Sequence, residues 1–169
     1  MAIRTIITRD NPNVFTKATR VPRIDESIRQ LMDDMVDTMI DAPGVGLAAT
    51  QIDVPLRVFV MKIDNQIYQV ANPELIKARG EVVNSEGCLS VPGWTGHTRR
   101  AEWVAVKGLN RHGKEIRIKG EGLLAQCLQH EMDHLDGMLY LDRLTSLDTL
   151  RELADDEEIG DDEGERLAE

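Results

Sequence analysis

Residues 28–40 show the clearest helical pattern in the chain. Their apolar positions recur at i, i+3, i+4, i+7, i+8, i+11 and i+12, and they are Ile28, Leu31, Met32, Met35, Val36, Met39 and Ile40. This spacing predicts an amphipathic helix over 28–40. Asp25 or Ser27 could cap its start, and Pro43–Gly44 should end it.

Shorter apolar patterns beyond this helix indicate strands. Four segments have strand character, and they are residues 56–62, 67–71, 103–107 and 115–119. Asp64–Asn65 predicts a turn between the first two, and residues 110–113 (NRHG) predict a hairpin between the last two. A second helix is predicted over 120–136. A short third helix is predicted over 146–154 from the spacing of Leu147, Leu150 and Leu153.

The order of these elements is helix, strands and then helices, without regular alternation of strand and helix. It predicts an α+β fold with antiparallel sheets. The 169 residues are 41% apolar and 30% charged, as expected of one globular domain. No run of 18 apolar residues occurs, and the first residues (MAIRTIITRDNP) lack the apolar core of a secretory signal. Two cysteines fit a reducing compartment.

The negative charge is concentrated at the C-terminal end. The net charge is −10, of which residues 155–169 (DDEEIGDDEGERLAE) carry −8. The rest of the chain is therefore close to neutral. We expect a single domain over 1–154 and a disordered, solvated tail over 155–169, with partner binding as the alternative role of the tail.

His130-Glu131-Met132-Asp133-His134 is an HExxH motif on the second predicted helix. Residues i and i+4 lie about 40° apart around a helix axis, so both imidazoles can reach one metal ion. Glu131 is close enough to contact a water on that ion. The alternative is a pair of core histidines whose hydrogen bonds are satisfied.

A catalytic zinc-type site needs a third protein ligand and one open position. A pattern with a third histidine six residues after the second has Tyr140 at that position, so we favour Cys88, in the turn-like segment Ser85–Ser90. Two alternatives stay open. Cys127 could join Cys88 and the histidines in a closed structural zinc site, although that arrangement leaves Glu131 buried without a task. A zinc endopeptidase of another class would share HExxH, but no downstream third ligand is evident.

Gly44–Gln51 (GVGLAATQ) superficially matches a dinucleotide-binding fingerprint. That fingerprint must follow a strand, whereas this segment follows a helix and Pro43. The segment is therefore either a close-packed turn or a glycine backbone that a substrate's main chain can approach.

Three segments together resemble the peptide deformylase family. They are Gly44–Gln51, Glu86–Ser90 (EGCLS) and His130–Gly137 (HEMDHLDG), in the order of the family's three motifs, and the resemblance covers about residues 5–145. It implies antiparallel sheets packed around a central helix that carries HExxH. It also implies hydrolysis of the formyl group from the N-terminal formyl-methionine of new bacterial or organellar polypeptides.

The resemblance also implies roles for individual residues. The metal ligands would be Cys88, His130 and His134. Glu131 would be the general base and acid, and a water activated by the metal would be the nucleophile. Gln51 and the backbone N–H of Leu89 would stabilise the oxyanion.

Further matching positions are assigned to substrate binding and to support of the metal site. The backbone of Gly46 would contact the substrate, and the methionine pocket would include Val45, Leu123 and Cys127. Glu86 and Arg100 would form an ion pair that supports the cysteine loop. Asp133 would be a partner on the metal helix, outside the ligand set.

The resemblance implies one divalent ion, Fe(II) in the cell, although the same donors accommodate Zn(II), Ni(II) or Co(II). We expect a cytoplasmic bacterial monomer that acts on N-formylmethionyl peptides, without DNA or membrane partners. Some family members dock on the ribosome through a basic C-terminal helix, but this C-terminal end is acidic. A basic cluster elsewhere could make a transient ribosome contact or be a solvated strand surface, and it comprises Arg99, Arg100, Lys107, Arg111, Lys114, Arg117 and Lys119.

Overall fold

The computed structural model describes residues 2–155, residue 157 and the backbone of residues 165 and 166. The helices in this part of the chain are α1 (Glu26–Asp41) and α2 (Gly122–Leu135). Its strands are β1 (Gly46–Ala48), β2 (Val58–Ile63), β3 (Gln66–Arg79), β4 (Val82–Cys88), β5 (Val91–Arg100), β6 (Trp103–Leu109), β7 (Glu115–Glu121), β8 (Arg151–Glu152) and β9 (Glu165–Arg166).

The strands form two antiparallel sheets. One has five strands in the order β1-β2-β3-β6-β7, and the other has four in the order β8-β5-β4-β9. Each neighbouring pair of strands is antiparallel. The predicted α+β fold with antiparallel sheets is therefore confirmed.

Strand β2 is buried on both faces because the two helices cover opposite sides of the five-stranded sheet. Phe59 and Met61 point into the cluster that contains Leu128 of α2. Val58 and Val60 belong to the cluster that contains the apolar stripe of α1. Alternation along a strand explains this division. Helix α2 consequently lies in the interior, where ligands on its face are shielded from bulk water.

The first helix begins and ends where the sequence indicates. The Asp25 side chain accepts a hydrogen bond from the N–H of Ile28 at 3.1 Å, so Asp25 rather than Ser27 is the N-cap. The helix ends at Asp41, before Pro43. Asp64 and Asn65 form the predicted turn between β2 and β3, both with positive φ (50° and 64°).

Strand β3 extends well beyond the predicted segment 67–71. It continues to Arg79, and its register with β6 shifts between Ala71 and Glu74. Pro73 lies in this irregular region, and a bulge is where a strand accommodates a proline. The two ends of β3 thus pair with different partners, since its first residues pair with β2 and its last with β6.

The third helix predicted over 146–154 is wrong. The segment forms a 3-10 turn at Leu147–Thr149 and then strand β8, which pairs with Trp94 and Thr95. Leu147 is 78% exposed. Pairing with the edge of β5 therefore outweighs the helical spacing of three leucines in so short a segment.

The predicted disordered tail falls mostly outside the described residues. Within it, β9 pairs with Val82 and Val83 of β4, and Glu157 forms an ion pair with Arg151 at 2.9 Å. In the described part of the chain, neither helix has both the length and the apolarity needed to cross a membrane.

Candidate metal centre

Three donor groups from separate parts of the chain converge in the interior. Cys88 is the last residue of β4, and His130 and His134 lie one turn apart on α2. Their ligand atoms all lie within 4.8 Å of one another. The two Nε2 atoms are 3.1 Å apart, and the Cys88 Sγ is 3.3 Å from the His134 Nε2.

These separations suit a tetrahedral metal ion. Metal–nitrogen bonds of about 2.0–2.1 Å and a metal–sulfur bond of about 2.3 Å place nitrogens about 3.4 Å apart and sulfur about 3.6 Å from nitrogen. The His130–His134 and Cys88–His134 separations are both within a few tenths of an ångström of these values. The Cys127 sulfur is not a member of the donor group found in the described residues. This geometry argues against the closed two-cysteine site.

Glu86 sets the orientation of the His130 ring. Its Oε1 lies 2.6 Å from the His130 Nδ1. Burial alone would raise the pKa of Glu86, but hydrogen bonds from Arg100 and His130 outweigh this and hold it well below the usual range. The ionised carboxylate therefore accepts a hydrogen bond from Nδ1–H, and the ring turns its Nε2 towards the other donors.

A buried ion-pair network surrounds Glu86. The Arg100 Nε and Nη2 each donate to the Glu86 carboxylate at 2.7 Å, and the Arg100 Nη1 donates to Asp133 at 2.9 Å. The Thr98 hydroxyl donates a further hydrogen bond to Glu86. Burial alone would lower the pKa of Arg100, but the carboxylates of Glu86 and Asp133 outweigh this effect and raise it. Arg100 is thus an interior residue. Its inclusion in the basic surface cluster, expected from the sequence, is wrong.

Glu131 lies on the same helix next to the donors and is 2% exposed. Burial raises its pKa to about 7, and the nearby Glu86 adds to the effect against the opposing charge of His130 and Arg100. Its Oε2 has no hydrogen-bond partner among the described residues. A buried carboxylate without a partner is costly, and a polarised water or a cation beside it would remove that cost.

Gly46 allows β1 to pass directly against Glu131. A Cβ at position 46 would collide with the Glu131 Oε1 and lie 2.9 Å from its carboxyl carbon. Glycine is therefore required here by close approach rather than by backbone conformation. This contact shows close packing of the segment Gly44–Gln51 against Glu131, and the approach of a substrate's main chain to this glycine stays a prediction.

The Gln51 side chain is fixed by hydrogen bonds and faces the cysteine. Its Oε1 accepts from the backbone N–H of Ala48 at 2.9 Å, so its amide nitrogen is directed the other way. That nitrogen lies 3.1 Å from the Ser90 Oγ and 3.6 Å from the Cys88 Sγ. Leu89 follows Cys88 at the turn between β4 and β5.

The three proposed pocket residues differ in exposure. Val45 is 48% exposed and Leu123 is 36% exposed, whereas Cys127 is only 5% exposed. Two apolar side chains thus lie at the surface, and the thiol lies below it in the core that contains Leu128. Burial raises the pKa of Cys127 well above its usual value, so it stays a neutral thiol.

Several residues around the donors were not predicted from the sequence. The Ser90 backbone N–H lies 3.4 Å from the Cys88 Sγ, and its hydroxyl donates to the carbonyl of Ile7. The Tyr140 ring is stacked near His130, with centroids 6.3 Å apart. Arg143 forms two hydrogen bonds with Asp133. Only Ser90 had a sequence signal, since it lies in the EGCLS segment.

Comparison with known families and proteins identifies relatives over most of the chain. The family model described as Polypeptide deformylase matches residues 3–150. A peptide deformylase of Dehalococcoides mccartyi is 50% identical over 143 residues, which cover 83% of this chain and 86% of that protein. A peptide deformylase of Thermomicrobium roseum is 46% identical over 150 residues, covering 83% and 85%.

Solved structures agree with these matches. A peptide deformylase from Legionella pneumophila is 48% identical and superposes with a TM-score of 0.83, covering 86% of this chain and 88% of that one. A peptide deformylase from Ehrlichia chaffeensis in complex with actinonin is 36% identical with a TM-score of 0.84, covering 88% and 92%.

Proposed function

Since the chain belongs to the polypeptide deformylase family, we infer that it is a metal-dependent hydrolase that removes the formyl group from the N-terminal formyl-methionine of nascent polypeptides and releases formate. The family expected from the three sequence motifs is thereby confirmed. The observation that carries the activity is the convergence of one thiol and two imidazoles next to the buried carboxyl of Glu131.

Three residues would hold the metal, namely Cys88, His130 and His134. Their donor set of one sulfur and two nitrogens suits Fe(II), Zn(II), Ni(II) or Co(II), and we propose Fe(II) as the ion used in the cell. When bound, the ion supplies a Lewis acid that activates a water and polarises the formyl carbonyl. Three protein ligands would leave the fourth coordination position to water or substrate, as catalytic sites require.

Glu131 would move the protons of the reaction. Its carboxylate takes the proton from the attacking water and then passes it to the amine nitrogen of the departing peptide. Burial favours the neutral carboxyl and raises the pKa of Glu131 to about 7 in the metal-free protein, a direction that suits a group which must both accept and deliver a proton.

Gln51 and Leu89 would hold the oxygen that becomes negative in the tetrahedral intermediate. The Gln51 amide nitrogen already faces the donor cluster, and hydrogen bonds to Ala48 and Ser90 prevent the amide from turning away. A donor fixed before the reaction requires no reorganisation when charge develops. The backbone N–H of Leu89, the residue after Cys88, would be the second donor to this oxygen.

The substrate's main chain would lie along β1 at Gly46, where no side chain separates it from Glu131. Its methionine side chain would occupy an apolar pocket built by Val45, Leu123 and Cys127. Exposed aliphatic side chains beside a reactive centre suit a thioether, which gains by leaving water.

The function is tested by comparing two substrates. We expect the metal-loaded protein to release formate from a formyl-Met tripeptide and to leave casein uncut. The comparison separates deformylation from the endopeptidase activity that HExxH alone would allow. Casein cleavage without formate release would reject the proposal.

We also propose a transient ribosome contact through the outer face of β6 and β7. Arg117 pairs in register with Lys107, and Lys119 lies two residues further along the exposed side of β7. These cations attract the phosphate groups of RNA, whereas the acidic residues 155–169 repel phosphate groups. Reaction on chains that emerge from the ribosome would take place in the bacterial cytoplasm. We propose that the enzyme acts there as a monomer.

Charge reversal tests the ribosome contact. We expect the double variant Arg117→Glu/Lys119→Glu to lose salt-sensitive co-sedimentation with ribosomes while its formate release from a free tripeptide is unchanged. The matched control reverses two exposed cations elsewhere, in Lys17→Glu/Arg20→Glu, and should sediment like the unmodified protein. Equal loss in both variants would indicate only a general charge effect.

A further inference from the structure

A series of ion pairs leads from the protein surface to the proposed metal ligand His130. Arg143, whose side chain is 44% exposed, contacts Asp133 through its Nε (3.1 Å) and its Nη2 (3.0 Å). Asp133 accepts a hydrogen bond from Arg100, Arg100 donates two to Glu86, and the Glu86 Oε1 lies 2.6 Å from the His130 Nδ1.

The charges of this network balance only when Arg143 is included. Glu86 and Asp133 are both buried carboxylates, and Arg100 lies between them. One guanidinium cannot neutralise two carboxylates, so Arg143 provides the second positive charge. Its two parallel hydrogen bonds also fix the plane of the Asp133 carboxylate, as a fork-shaped donor does.

We propose that Arg143 is a positioning residue for the metal site. By holding Asp133, it leaves the Arg100 Nε and Nη2 on Glu86, and Glu86 then fixes the His130 ring with its Nε2 towards the other donors. Without Arg143, Asp133 draws the Arg100 guanidinium away from Glu86. The inference rests on the proposed ligand set of Cys88, His130 and His134.

Two substitutions separate the charge of Arg143 from its shape. Arg143→Met removes the guanidinium and retains an apolar stem, whereas Arg143→Lys retains a positive charge without the fork. The matched control is Arg57→Met. Arg57 donates to the Asp136 Oδ1 and the Leu135 carbonyl, both at 3.0 Å, so it supports the same end of α2 without contacting Asp133.

The measurements are the rate at which the metal-loaded protein loses its ion to a chelator and the visible spectrum of the Co(II)-loaded protein. We expect Arg143→Met to release metal about tenfold faster and to shift the Co(II) bands. Substitution of residues that hold a metal ligand in its orientation typically weakens metal binding by about 10–100-fold. Arg143→Lys should be intermediate. Arg57→Met should lower the melting temperature but leave both metal readouts unchanged.

Metal release and Co(II) bands of Arg143→Met that match those of the unmodified protein would overturn the proposal. Equal acceleration in Arg57→Met would also overturn it, since it would indicate general loosening of the helix end. If Arg143→Met does not fold, Arg143→Lys alone decides, with faster release expected. Absence of thiolate-to-cobalt absorption in the unmodified protein would instead reject the ligand set, and this inference with it.

Discussion

The Glu131→Gln variant should retain its metal and lose about 10³-fold in formate release, since a positioned general base typically contributes about 10²–10⁴-fold. Glutamine has nearly the same shape, but it cannot accept the proton of the attacking water. Glu131 is not one of the three converging donors, so the metal content should stay near one ion per chain. Steady-state formate assays and metal analysis on the same sample measure both effects.

A second readout checks the cause of this loss. Burial raises the pKa of Glu131 to about 7 in the metal-free protein, from an ordinary value of 4.5. The fold therefore favours the neutral carboxyl, and stability falls as the pH rises from about 4.5 to about 7. This difference in the pKa of Glu131 corresponds to about 3 kcal/mol in the free energy of unfolding. Metal-free Glu131→Gln should lack this decline in denaturant unfolding measured at several pH values.

The control for Glu131→Gln is Glu121→Gln. Glu121 precedes α2, is exposed, and its side chain forms no capping hydrogen bond. The same chemical change there should leave formate release and the pH dependence of stability unaltered. If Glu131→Gln loses its metal and unfolds, the carboxyl is a structural group rather than a base, and the proposed proton transfers fail.

The two helices α1 and α2 were predicted well because each carries its own local signals. The first was predicted over 28–40 and spans Glu26–Asp41, since its apolar stripe, its Asp25 cap and the following Pro43 all lie within a few residues. The HExxH helix was predicted over 120–136 and spans Gly122–Leu135. Such signals depend on neighbours in the sequence and are therefore readable from it.

Elements that depend on distant partners were predicted less well. Cys88 was expected in a turn-like segment, but it ends strand β4 at a point where the register with β5 shifts. Strand β8 was expected to be helical because its pairing with Trp94 cannot be read from three leucines. In both cases the hydrogen bonds that determine the structure come from residues far away in the chain.

The residues of the candidate site likewise divide into those with a local sequence signal and those whose role depends on distant partners. Motif spacing brought attention to the residues on α2 and to Gln51, because these lie in short recognisable segments. Arg143 could not be found in this way, since its importance follows from contact with Asp133, which already pairs with Arg100 from β5. A charged residue after a helix has no sequence pattern that distinguishes a side chain in contact with water alone from one that also holds a buried carboxylate.

Substitution of the two cysteines should have opposite consequences for the metal. Cys88→Ser replaces a thiolate whose sulfur lies 3.3 Å from the His134 Nε2, so we expect metal affinity and formate release to fall by about 10²-fold or more. Cys127→Ser changes a thiol outside the donor group and should retain the metal and most activity. Its cost should be in folding, about 1–3 kcal/mol for a buried hydroxyl without a partner.

Three measurements on both variants distinguish a three-ligand site from a closed four-ligand site. They are the affinity for Zn(II), the thiolate-to-cobalt absorption of the Co(II)-loaded protein, and formate release. Loss of that absorption in Cys88→Ser alone assigns the thiolate to Cys88. The reverse order, with metal lost in Cys127→Ser and retained in Cys88→Ser, would contradict the ligand set. Loss of both metal and fold in Cys127→Ser would favour the closed structural site, in which four protein ligands leave no position for a reacting water.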